Sequence, residues 1–228
     1  NYVIVVHYDQ NKKNPRKAYD NLGTMVCSDH RNYSLGDEQV KDWGDWLARA
    51  LRQLGLSKDT DKYYDFEQDL ENEVDEAMRK GFDMFDEQVI RLPLYLYDHG
   101  GITMKTSPFT CAWDSGQVGF IYVTKEKARK EYGNLTKANL DKVVKYLVGE
   151  VEVYAQYLEG QVYGYIVKDV TGWADYCERY GKDEDSDYDF GKFVSHVAPE
   201  IDSCWGYYGY DHKESGLLES AMNAIECH

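Results

Sequence analysis

The sequence predicts an α+β protein: a mainly antiparallel mixed sheet with packed helices and an acidic helical insert at about 36–88, in a single domain spanning 1–228. Three observations lead to this prediction. Segments rich in β-branched and aromatic residues are joined by glycine turns. Amphipathic helical patterns fall between groups of strands instead of alternating with them. With 228 residues, 43% of them hydrophobic, the chain is long enough to bury a sizeable core.

The strands are predicted from apolar runs that end at turn residues. Gly100-Gly101 is typical of a hairpin turn between two such runs. The run at 201–208 is expected to pair antiparallel with the strand before it. The predicted strands are 2–8, 22–27, 89–98, 102–106, 118–123, 161–169 and 201–208. The glycines expected to allow close backbone approach are Gly164, Gly206 and Gly209.

The helices are predicted from apolar residues three and four positions apart. The first is expected to follow Ser34 or Asp37 as its N-cap and to close at Gly55. The second lies within 59–87, where twelve residues are Asp or Glu, so its outer face is strongly negative. Further helices are expected at about 124–133, 136–160 and 214–228.

Charge and composition exclude several classes of function. A net charge of −15 and a pI near 4.8 argue against a direct grip on nucleic-acid phosphates. No apolar run is long enough for a membrane span and no leader segment is visible, so we expect a cytoplasmic protein. The five cysteines form no CxxC pair, which disfavours a structural zinc site, and we expect free thiols. No phosphate-binding glycine motif occurs, and we expect no cofactor.

The two hairpin tips predicted around residues 98–117 hold the side chains best suited to chemistry. Cys111 could act as a nucleophile, and His99 or His30 could act as its base. Asp98 or Asp114 could orient that base. Their spacing matches no cysteine-hydrolase signature. The interpretation favoured at this point is turn chemistry, in which Asp and Ser side chains bond their own backbones. A thiol site remains the alternative.

A metal site is the third interpretation of these tips. Asp98, His99, Asp114 and Asp202 would offer hard oxygen ligands and one imidazole, which suit magnesium, manganese or calcium. No metal-binding spacing supports such a site, and we expect no metal. The same region could instead hold a small molecule, including a signalling nucleotide, although the net negative charge weighs against an anionic ligand.

The acidic segments are the feature that points most directly to a partner. Carboxylates spaced along a rigid helix can imitate a phosphate backbone and compete for a basic groove. An acidic surface can also simply keep a protein soluble. The residues expected to contact a partner are Asp65, Asp69, Glu73 and Glu76 on one helix face, and Asp183, Glu184 and Asp185 in the acid-rich loop 183–189.

Five blocks of the sequence resemble a family of uncharacterised proteins encoded by phages, plasmids and integrative elements. They are DNLGTMVC at 20–27, YSLGD at 33–37, YDHGGITM at 97–104, SPFTCAWDSGQVGFIYV at 107–123 and DSCWGYYG at 202–209. The resemblance covers most of the chain, and it implies no established activity or catalytic residue. Departures from the family pattern occur at Tyr19, Gly100 and Ala112, where Trp, Ser and Pro are expected.

The resemblance implies a cargo protein of a mobile element, and such cargo often disarms host restriction or CRISPR systems. Together with the net charge, this leads to a functional hypothesis. The chain is expected to be an anti-restriction or anti-CRISPR inhibitor that binds a basic, nucleic-acid-binding defence protein of its bacterial host as a DNA mimic. The alternative is a small-molecule or nucleotide-binding protein, or a cysteine-dependent hydrolase, with its site at the hairpin tips.

Overall fold

The computed structural model describes residues 1–29, 33–56 and 71–228, with the backbone alone at 71–75. Its elements confirm the α+β class. In chain order they are β1 (Tyr2–Tyr8), α1 (Pro15–Ala18), β2 (Thr24–Ser28), β3 (Glu38–Val40), α2 (Trp43–Gln53), α3 (Glu71–Asp86), β4 (Val89–Asp98), β5 (Ile102–Lys105), β6 (Ser115–Thr124), α4 (Lys125–Tyr132), α5 (Lys137–Leu158), β7 (Val162–Asp169), α6 (Trp173–Tyr180), α7 (Asp187–His196), β8 (Glu200–Tyr208) and α8 (Leu217–Glu226).

The strands divide between two sheets, and the chain divides into two compact units. We call residues 15–155 the central unit, and residues 1–14 with 156–228 the terminal unit. Strand pairing is antiparallel throughout both sheets except between β2 and β3, as the mainly antiparallel prediction requires. That these units form one domain stays a prediction.

The central unit contains a five-stranded sheet in the order β3-β2-β6-β4-β5. Helices α2 and α3 pack against each other and cover the sheet through an aromatic cluster. The cluster contains Trp46 from α2, Phe85 from α3 and Phe120 from β6. Their ring centroids lie 5.3 to 6.1 Å apart. All three are at most 4% exposed, so this cluster anchors the helical insert to the sheet.

The terminal unit contains a three-stranded antiparallel sheet in the order β1-β7-β8. Side chains alternate between its faces, and each face packs against helices. Helix α8 covers one face through Leu217 and Ala221, which pack against Tyr165 and Val167. Phe193 and its neighbours on α6 and α7 pack with Val3 and Val5 of β1 on the other face.

Most predicted boundaries agree with the structure to within three residues, and the differences have local causes. Helix α2 begins after Asp42, whose side chain accepts the Asp45 N–H, so the predicted caps Ser34 and Asp37 are wrong. Strand β3 occupies residues 38–40 instead. Within 183–189, Ser186 caps α7, so the last residues of the predicted loop are helical.

The helices α1, α6 and α7 were not predicted; they are four, eight and ten residues long. Part of the predicted acidic helix lies outside the described residues, and α3 is its described part. Within the part of the chain that the structure describes, no helix is both long and apolar enough to cross a membrane.

Candidate functional site

The structure brings three of the predicted hairpin-tip residues together in the central unit. His99 lies in the turn of the β4–β5 hairpin, whereas Cys111 and Asp114 lie in the connection from β5 to β6. The prediction of a second hairpin there is wrong, because β6 pairs with β4 on the side away from β5. The Oδ2 atom of Asp114 lies 3.4 Å from Cys111 Sγ and 3.3 Å from His99 Nδ1. Asp98 contributes its backbone N–H, which donates to the Asp114 carbonyl at 2.8 Å. One carboxylate therefore connects the thiol and the imidazole.

The order of these groups differs from that of a thiol nucleophile site. The Cys111 thiol donates to the carboxylate of Asp114 and not to the imidazole of His99. The base is thus not placed to take the thiol proton, which nucleophilic activation requires. The His99 side chain is also 70% exposed, so water solvates it. His30, the alternative base, lies outside the described residues.

The same contacts hold the loop that connects β5 and β6. Ser115 Oγ donates to the Cys111 carbonyl at 2.5 Å, which closes the turn from Cys111 to Ser115. The aromatic rings of Tyr97 and Phe109 lie 5.5 Å apart and pack the base of the loop. Trp113 projects from it and is 97% exposed. The polar residues of this block therefore hold a turn that presents an indole to solvent.

The metal interpretation has no structural support in the described residues. No group of three or more His, Cys, Asp or Glu side chains there is arranged to hold a metal ion. Asp202, the fourth residue of the hypothetical set, belongs to the terminal unit. Its carboxylate accepts a hydrogen bond from the Tyr165 hydroxyl at 2.8 Å, which gives it a structural partner.

The acidic loop between α6 and α7 is exposed as predicted. Asp183, Glu184 and Asp185 all face solvent, and Asp183 Oδ1 accepts the backbone N–H of Asp185 at 3.1 Å. The neighbouring Lys182 extends toward Asp189, with 3.4 Å between Nζ and Oδ1. Among the described ion pairs, none involves the three loop acids, so their charges remain available to a partner.

Only one of the four predicted helix acids has a described side chain. Asp65 and Asp69 lie outside the described residues, and Glu73 is described by its backbone alone. Glu76 is exposed and pairs with Lys80 one turn later, at 2.7 Å. The hydrogen bond from Lys80 lowers the pKa of Glu76 and partly offsets its charge.

Sequence reasoning missed a buried ionic network around Arg16. This side chain is 1% exposed and forms ion pairs with Asp37 at 2.5 Å and with Glu150 at 2.8 Å. It also donates to the Asn21 side chain and to the Gly23 carbonyl. Burial lowers the pKa of Arg16, but the hydrogen bonds from Arg16 to Asp37 and Glu150 outweigh it and the net pKa is raised.

The carboxylates of this network also bind the backbone of block 20–27. Glu150 accepts the Leu22 N–H at 2.5 Å, and Asp37 accepts the Met25 N–H at 2.7 Å. Blocks 20–27 and 33–37 are thus joined through charged side chains, which gives them a structural role. The only sequence signal was an arginine in a polar loop, and its two carboxylate partners are 21 and 134 positions away.

A scan against protein-family models gave no match, and neither did searches of curated proteins and of solved structures. The candidate sites are therefore argued from their geometry.

Proposed function

We propose that this chain is a binding protein of a mobile genetic element that inhibits a nucleic-acid-directed defence system in the cytoplasm of its bacterial host. It binds a basic surface of the defence protein through carboxylates that take the place of nucleic-acid phosphates. The observation that carries the proposal is the exposed acidic loop with Asp183, Glu184 and Asp185, which are free of the described ion pairs.

The charge of the whole chain supports the same mechanism. A net charge of −15 attracts a basic partner over several ångströms and speeds its capture at low ionic strength. The segment 59–87 adds a second concentration of acidic residues, in the central unit. The resemblance to mobile-element proteins supports a host defence factor as the partner.

The test is capture of a partner from host lysate by the tagged protein at low and at high salt. We expect one main partner that is lost at high salt. A triple variant, Asp183→Lys with Glu184→Lys and Asp185→Lys, should weaken binding at least ten-fold, because attraction becomes repulsion. The variant that reverses Asp65, Asp69, Glu73 and Glu76 tests the helix in the same way.

A matched control reverses three exposed acids elsewhere: Glu131→Lys, Asp141→Lys and Glu152→Lys. It changes the net charge by the same amount, so a purely non-specific charge effect would weaken binding equally. Unchanged affinity in both the loop and the helix variants, with no dependence on salt, would contradict acidic mimicry.

We propose a ligand-binding or hydrolytic site at the hairpin tips as the second candidate. The contact of Cys111 and His99 with the same oxygen of Asp114 favours it. A substrate that displaced the Asp114 carboxylate would release the thiol and the imidazole together.

Alkylation with iodoacetamide at neutral pH tests this candidate. Cys227 is exposed and serves as an internal reference, whereas Cys27 and Cys177 are buried. An activated Cys111 should react at least ten-fold faster than Cys227, and His99→Ala should remove the difference. Labelling of Cys111 at or below the rate of Cys227 would exclude a nucleophile.

A further inference from the structure

An aromatic platform crosses the sheet of the terminal unit. Gly164 on β7 lies opposite His7 on β1 and opposite Trp205 on β8. Directly paired residues of antiparallel strands project from the same face, so these three form one row. We call His7, Gly164 and Trp205 the Trp205 platform.

Two glycines allow the indole to lie across the sheet. A Cβ atom on Gly164 would be 2.2 Å from Cε3 of Trp205, so the ring occupies the space that any other side chain would fill. Gly206 is left unpaired where the register shifts, and its φ of 93° is a conformation that favours glycine. The bulge thus turns Trp205 onto Gly164.

The platform is accessible to solvent. Trp205 remains 45% exposed, and the exposed His7 ring stacks beside it at 30° with 6.4 Å between centroids. Val3 and Val5, which share the face with His7, pack against aromatic residues of α6 and α7. The Trp205 end of this face therefore presents a flat aromatic surface that is partly open to solvent among the described residues.

We propose that the Trp205 platform binds the guanidinium group of an arginine on the basic partner. A guanidinium is planar and cationic, and it stacks on indole more favourably than a lysine ammonium does. The terminal unit contains 16 Asp and Glu residues but only seven Lys and Arg residues, so its field favours a cation over a phosphate-bearing ligand.

This inference rests on the proposed function, because arginines are the residues that a nucleic-acid-binding protein presents to phosphates and bases. Carboxylates that replace phosphates supply attraction but do not distinguish arginine from lysine. An indole that takes the position of a base would add that selectivity for arginine.

The experiment compares an arginine hexapeptide with a lysine hexapeptide of equal charge, each titrated into the full chain labelled with ¹⁵N. The chain has five tryptophans, and the Trp205 indole N–H signal is assigned as the one missing from Trp205→Phe. We expect the arginine peptide to shift this signal and to bind about three-fold more tightly than the lysine peptide. Trp205→Ala should reduce the ratio of affinities to one.

Gly164→Ala provides an independent test because it displaces the ring without removing it, and it should also abolish the preference for arginine. Tyr210→Ala removes another exposed aromatic side chain of the same unit and should leave the preference intact. The Trp205 signal of the wild-type chain, assigned through Trp205→Phe, remains decisive if Trp205→Ala or Gly164→Ala fails to fold.

Equal affinity of the two peptides, with an unmoved Trp205 signal, would overturn the inference while leaving acidic binding in place. A Trp205 signal that responds to adenosine but not to the arginine peptide would also overturn it, in favour of a nucleobase ligand. If neither peptide binds and the lysate experiment captures no partner, both the inference and the proposed function are overturned.

Discussion

Gly119 of β6 lies so close to Val26 of β2 that a Cβ atom on Gly119 would be 1.9 Å from the Val26 carbonyl oxygen. This distance is far inside van der Waals contact, so the two backbones can approach only if residue 119 is glycine. The GQVGF part of block 107–123 therefore has a structural requirement that is separate from any chemistry at the hairpin tips.

We predict that Gly119→Ala destabilises the central unit by about 3 kcal/mol or prevents its folding, because the β2–β6 pairing must separate. Gly116→Ala on the same strand is the matched control, since a Cβ there meets nothing within 4 Å. Urea unfolding followed by circular dichroism measures both variants. Equal stability of the two would show that β2 can shift to accommodate a methyl group.

Arg16→Met should destabilise the protein by about 3–5 kcal/mol, since Asp37 and Glu150 would lose the cation that compensates their charges. The double variant Arg16→Met with Glu150→Gln should lose less than the sum of the two single variants, because one uncompensated charge is also removed. Urea unfolding of all three gives the coupling energy. Strict additivity would mean that the network contributes no interaction of its own.

Cys27 should make the protein less stable at alkaline pH. Burial, with the charge of Asp37, raises the pKa of its thiol from 9.0 to about 12. Below pH 9 the thiol is protonated in both states, but between about 9 and 12 only the unfolded chain releases the proton. The free energy of unfolding therefore falls by up to about 1.4 kcal/mol per pH unit in this window.

Cys27→Ser removes this titration at a similar side-chain size. Comparison of urea unfolding at pH 8 and pH 10.5 should show a smaller loss in the variant than in the wild type. Parallel losses would mean that the thiol of Cys27 ionises alike in the folded and unfolded states.

Ser186→Ala should cost about 1 kcal/mol, because the Ser186 side chain accepts the Asp189 N–H at the start of α7. Ser186→Gly should cost only a few tenths of that amount. Ser195→Ala in the same helix is the control, since that hydroxyl bonds only its own helix backbone at Gly191. A cost at Ser195 equal to that at Ser186 would indicate that the cap contributes nothing specific.

Local sequence signals predicted most of the helices and strands, because residues within or next to each element mark its type and its ends. Thr124 and Gly133 bound α4 as expected, since a threonine N-cap and a glycine C-cap act within one turn. The missed helix α6 has only the C-terminal signal, Gly181, because it begins after Gly172 without a side-chain cap.

Long-range relationships could not be predicted in this way. Nothing local to Tyr2–Tyr8 indicates that its partner is β7, or that the strands divide into two sheets. The contacts of Cys111, Asp114 and His99 depend on how the β4–β5 turn meets the β5–β6 connection, and the burial of Arg16 depends on residues far along the chain. Residue types suggested which groups could react, but only their positions showed that a carboxylate lies between thiol and imidazole.

The pairing of Tyr2 with Asp169 has a consequence for synthesis on the ribosome. All of the central unit leaves the ribosome before β7 does. The central unit can therefore fold while β1 is still unpaired. At elongation rates of roughly 5–20 residues per second, β1 is without its partner for a time on the order of 10–30 s. Strand β1 is thus exposed during that time as an unpaired, β-branched segment, which makes the nascent chain prone to aggregation.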